Sequence, residues 1–63
     1  MTNTEKEFLE MVKESIEYKI TCLNWRKEDV GFWIEGIIFS LNNPTEEFLN
    51  ELYDLRNENL GIE

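Results

Sequence analysis

Sixty-three residues form one domain near the lower limit for a chain that folds alone, and a formal charge of -8 makes binding to a phosphate backbone improbable. With one cysteine and no histidine, an internal disulfide and a His/Cys metal site are both excluded, leaving efficient helix packing or self-association as the source of stability. The lone Cys22, with no basic and apolar leader in MTNTEKEF, leads to the expectation of a reducing, cytoplasmic location.

Along the chain, Thr4-Glu5-Lys6-Glu7 fits a capping box, with Thr4 as N-cap and Glu7 reaching back from the third helical position. The helix predicted from there runs over about residues 4–25. Leu9, Val12, Ile16, Ile20 and Leu23 share its core stripe, and Glu7, Glu10, Glu14 and Glu17 fall on the far side. Met11, Tyr18, Cys22 and Trp25 form a second apolar stripe, in which Cys22 is expected to be a small buried hydrophobe.

The segment GFWIEGIIFSL, residues 31–41, carries a single charge, at Glu35. It is about half as long as a membrane span requires. Its β-prone Ile37-Ile38-Phe39 shows no alternation of apolar and polar residues. Val30, Ile34, Ile37 and Leu41 instead recur at helical spacing, with Trp33 and Ile38 at the edges of that stripe. The second helix is therefore expected over about 29–42, with Asp29 as N-cap or first-turn acid. Phe32 and Phe39 fall nearly opposite the stripe with Gly36 between them. A partner must cover them if the neighbouring helices do not. A glycine inside a helix costs about 1 kcal/mol relative to alanine, which is reasonable at Gly36 where another backbone comes close.

Asn42-Asn43-Pro44-Thr45-Glu46 marks the third helix, predicted over about 44–59 with Asn43 as N-cap and Pro44 at the first position. Phe48, Leu52 and Leu55 form its core stripe with Leu49 on the flank, and Gly61 supplies a stop. The whole reads as an all-α, three-helix, up-down-up bundle, with homo-oligomerisation as a means of completing the core.

No catalytic constellation accompanies this architecture. The commonest general base is absent, Cys22 lacks a histidine partner, Ser15 and Ser40 have no base nearby, and the three glycines make no phosphate loop. The expectation is a non-enzymatic protein with no cofactor and no metal. What the sequence does offer is two rows of acid and a surplus of aromatic surface. Glu47, Glu51, Asp54 and Glu58 follow i, i+4, i+7, i+11 spacing on the third helix and repeat the row of the first. Like charges at that spacing repel by a few tenths of a kcal/mol per pair, yet they can imitate a line of phosphates.

The opening TEKEFLEMVKESIEY resembles the Glu-rich helices of small immunity and inhibitor proteins that neutralise basic nucleases. The resemblance spans about a quarter of the chain and transfers no site residue. The function expected is an inhibitor or adaptor of a basic, nucleic-acid-handling protein, with the acidic rows steering the partner. Tyr18, Trp25, Phe32, Gly36 and Phe39 are expected at the partner or oligomer interface. Short acidic chains rich in Lys, Ile, Asn and Glu are frequent in phages and mobile elements, which extends the expected location to a host cytoplasm. The alternative is a helical homo-oligomer, a homodimer or assembly subunit with no inhibitory role.

Overall fold

The computed structural model describes residues 1–62 and contains three helices: α1, Asn3–Thr21; α2, Lys27–Ser40; and α3, Glu46–Leu60. The N-terminus of α1 lies beside that of α3, since the Glu5 carboxylate reaches Thr45. Gly31, early in α2, lies against Leu60 at the end of α3. Thus α2 runs antiparallel to α3 and α1 runs with α3, the up-down-up order that the short connections favour.

Helices α1 and α3 are capped by other residues than the local sequence pattern predicts, each for a physical reason, whereas in α2 Asp29 takes the first-turn place that was one of its two expected roles. The motif Thr-x-x-Glu occurs twice in overlap, and the earlier copy is used. Thr2, not Thr4, is the N-cap of α1: its Oγ1 accepts the Glu5 N–H at 3.1 Å, and Glu5 Oε1 accepts the Thr2 N–H at 2.9 Å. Glu5 has a tertiary role that Glu7 lacks. Its two carboxylate oxygens also accept the Thr45 N–H at 3.0 Å and the Thr45 hydroxyl at 2.8 Å.

That contact selects Thr45, rather than Asn43, as the N-cap of α3, where its Oγ1 accepts the Phe48 N–H at 3.3 Å. Pro44 consequently precedes the helix instead of opening it. Asn43 takes a left-handed φ of 53°, as Asn24 does at 58° in the other connection. Asparagine tolerates that region better than other residues with a side chain, so both turns are made by the residue type suited to them. In α2 the N-cap is Arg26 and Asp29 is a first-turn acid, its Oδ2 accepting the Arg26 N–H at 3.2 Å.

At the far end of α3 the predicted stop is present. Gly61 has φ +73°, and the Ile62 N–H donates to the Asn57 carbonyl at 2.8 Å, the long bond of a Schellman motif.

The buried core consists of Leu9 and Val12 from α1, Val30, Ile34 and Ile38 from α2, and Phe48 and Leu52 from α3. No polar side chain is buried among the described residues. Phe8 packs edge-on against Phe48, ring centroids 6.0 Å apart, extending this core at the Glu5 end. Helices α2 and α3 pack most closely, and Gly31 is what lets them. A Cβ there would fall 2.5 Å from Leu60 Cγ and Cδ2. Helix α1 contributes no fully buried residue after Val12; Ile16 and Ile20 are only half-buried.

The stripe predicted for α1 fails at its C-terminal end. The helix ends at Thr21, and the Trp25 N–H reaches back to the Lys19 carbonyl at 2.9 Å as the chain turns through Asn24. Leu23 is thereby carried out of register and stands 47% exposed. Cys22, expected to be buried, is exposed although its N–H still bonds the Tyr18 carbonyl in helical register, because no neighbouring helix covers the side of α1 it shares with Met11 and Tyr18. Trp25, expected in α1, lies in the connection to α2. No helix among the described residues is long and apolar enough to cross a membrane.

Candidate aromatic and acidic interface

Helix α2 is apolar on two sides, and its neighbours cover only one. Val30 and Ile34 are fully buried and Ile37 and Leu41 half-buried, so the predicted stripe is the one that faces the core. Phe32 and Phe39 remain 62% and 78% exposed, so α2 is not sandwiched on that side. Gly36 lies between them, and a Cβ built there would meet nothing within 4 Å. The close backbone approach that its glycine suggests is not made by α1 or α3.

Acids border this face. At about 100° per residue, Glu28 and Glu35 fall to one side of Phe32 and Asp29 to the other, each within about 60° of it. Glu28 is within 3.7 Å of the Arg26 guanidinium, a contact exposed enough to contribute little.

Where α1 meets the start of α2, Trp25, Asp29, Phe32 and Trp33 line an open cleft of about 450 Å³. The helical repeat brings Asp29, Phe32 and Trp33 together, and the turn through Asn24 swings Trp25 in to complete the wall. The Lys19 ammonium lies 4.6 Å from the Trp25 ring centroid and 4.7 Å from that of Trp33, holding the two indoles as a pair by cation–π attraction. Asp29 is the only acid of the lining among the described residues. Sequence reasoning missed Asp29 and Trp33 as members of this cleft. Within α2 the spacing carried a partial signal, because Asp29, Phe32 and Trp33 stand at i, i+3 and i+4, whereas Trp25 lies outside the helix and takes its place through the turn at Asn24.

The remaining candidate residues lie on α1 and α3. On α1, Glu7, Glu10, Glu14 and Glu17 are all exposed. On α3, Glu47, Asp54 and Glu58 are exposed and Glu51 is half-buried. Glu47 is engaged, its Oε1 2.9 Å from the Met1 amino group. Lys6 and Lys13 make no direct ion pair with Glu10 or Glu17. Met11 and Tyr18 are exposed with Cys22, forming an uncovered apolar line along α1.

A different acid was invisible as a special residue in the sequence. Glu5 accepts hydrogen bonds from the N–H groups of Thr2 and Thr45 and from the Thr45 hydroxyl, which together lower its pKa to about 2. It tethers two helix N-termini with one carboxylate, a position the helix dipoles also favour. Its role is structural.

No cluster of His, Cys, Asp and Glu suited to a metal ion exists among the described residues. No protein-family model matches the chain, and neither a curated protein nor a solved structure matches it either.

Proposed function

We propose that this chain is a small non-enzymatic binding protein that occupies a basic, nucleic-acid-handling protein and blocks it by steric and electrostatic occlusion. The observation that carries this reading is the exposed Phe32–Phe39 face bordered by Glu28, Asp29 and Glu35. Aromatic anchors inside an acidic rim suit a partner whose surface is apolar at the centre and cationic around it. The acidic rows on α1 and α3 add to a field of one sign, which speeds encounter with such a partner. A phage or mobile element is the natural setting for an inhibitor of this size.

Capture experiments test this directly. Immobilised protein retains a basic protein from a host lysate at low salt, and excess duplex DNA displaces it because both compete for one cationic surface. Phe32→Ser with Phe39→Ser abolishes retention. Retention that ignores both DNA and salt contradicts occlusion of a nucleic-acid site.

One observation favours a second reading, a homodimer. Gly36 faces open space midway between two phenylalanines, an arrangement that pairs with its own copy when two α2 helices cross antiparallel. Glu28 and Glu35 border the same face in both copies and oppose this pairing at low salt. Sedimentation decides it: the doubly substituted variant must be smaller than the wild type, and an unchanged monomer removes the dimer.

A further inference from the structure

We infer that the cleft between Trp25, Asp29, Phe32 and Trp33 is a binding site for an arginine side chain presented by the basic protein partner. This inference deepens the proposed function and rests on it. The cleft is walled by three aromatic side chains and contains one carboxylate, so it offers flat electron-rich faces and a single negative charge. Those are the two features a guanidinium uses, stacking its plane on a ring while its N–H fork meets a carboxylate. The Asp29 carboxylate keeps one oxygen free for this, since Oδ2 alone accepts the Arg26 N–H. The cleft's volume of about 450 Å³ lies within the range of small-ligand sites, roughly 300–1,000 Å³.

Two cations within the chain show the same chemistry. Lys19 sits over Trp25 and Trp33, and Arg56 Cζ lies 4.7 Å from the Tyr53 ring centroid. Lys19 does not itself line the cleft. Its charge, however, opposes an incoming cation, so Asp29 must offset it before a second cation can enter. Charge complementarity thus places the guanidinium at Asp29, and an apolar residue beside that arginine in the partner falls on Phe32 and Phe39.

The chain's only two tryptophans both line the cleft, so intrinsic fluorescence reports on it directly. The probe is a short leucine–arginine peptide titrated into the whole chain at low salt, against a twin in which citrulline replaces arginine. Citrulline keeps the shape and removes the charge. The arginine peptide is expected to give a saturable change and to bind at least tenfold more tightly than its twin. Asp29→Asn lowers that affinity about tenfold, the loss of one charge-assisted hydrogen bond. Helicity stays unchanged in that variant, because asparagine still accepts the Arg26 N–H.

Equal binding of the two peptides, equal binding by Asp29→Asn, or no saturable change overturns the arginine site. Peptide failure with DNA-competed capture intact removes the arginine site and keeps the proposed function. Peptide binding with no capture keeps the site and removes the nucleic-acid-handling partner.

Discussion

Two glycines of α2 give a paired test at the scale of single residues. Each is in the helix interior, so each substitution by alanine gains about 1 kcal/mol of helix propensity. Gly36 faces open space and keeps that gain, which raises the melting temperature by about 4–8 °C in a domain this small. At Gly31 the new Cβ meets Leu60 at 2.5 Å, and overpacking of that kind costs about 1–3 kcal/mol. Gly31→Ala is therefore expected to melt below Gly36→Ala, and thermal unfolding of the two variants checks it. Equal melting temperatures mean that Leu60 turns aside without cost. Gly31 could not be singled out from sequence, since its meaning depends on a residue twenty-nine positions away.

Glu5 gives the second residue-scale prediction. Its folded pKa of about 2 lies below its ordinary value of 4.5, so the stability it contributes is fully present above pH 4.5. That stability disappears as pH falls through 4.5 towards 2 and the carboxylate is protonated. Denaturant midpoints for wild type and Glu5→Gln should converge over that interval, the wild type being the more stable at pH 6. Parallel curves mean that the carboxylate's bonds to Thr2 and Thr45 contribute nothing.

At the scale of elements, the sequence conveys helix existence and core stripes but not helix ends. Periodicity identified Leu9, Val12, Val30, Ile34, Phe48 and Leu52 because burial follows the helical repeat. The ends were misplaced because two overlapping Thr-x-x-Glu motifs are equivalent locally and are separated only by the tertiary contact from Glu5 to Thr45. Leu23 was misassigned because a wheel extrapolates through a helix end it cannot see, and Cys22 because a wheel does not show whether a neighbour covers a given side. The two faces of α2 were legible, whereas the cleft depended on the position Trp25 takes after the turn at Asn24.

The uneven core has a dynamic consequence for α1. Its first half is held by Leu9, Val12, the Thr2–Glu5 cap and the tether to Thr45, whereas its second half has half-buried Ile16 and Ile20 and the Lys19–tryptophan contacts. Local opening takes place where buried apolar contact is least. Amide hydrogens from Ile16 to Thr21 are expected to exchange faster than those of α2 around Ile34. Equal protection along both segments indicates that the bundle opens only as a unit. Weak anchoring here also bears on the cleft, because Lys19 sets the two indoles from this half of α1.

For the whole molecule, the proposed function predicts that salt acts on folding and on binding in opposite directions. A charge of -8 on 63 residues produces self-repulsion in the compact state, and few ion pairs among the described residues relieve it. The Debye length falls from about 30 Å at 0.01 M to about 10 Å at 0.1 M, while the molecule measures 31 × 22 × 18 Å. Repulsion that spans the whole molecule at the lower concentration is thus confined to neighbouring side chains at the higher. Added salt should raise the melting temperature across that interval. The same screening weakens attraction to a cationic partner and releases the captured protein. A protein that only needed its acids for solubility shows the first effect without the second. One salt series read by both thermal unfolding and capture therefore separates a steering field from a solubilising one. Stability and retention that rise together exclude electrostatic steering, leaving the Phe32–Phe39 face to act through apolar contact alone.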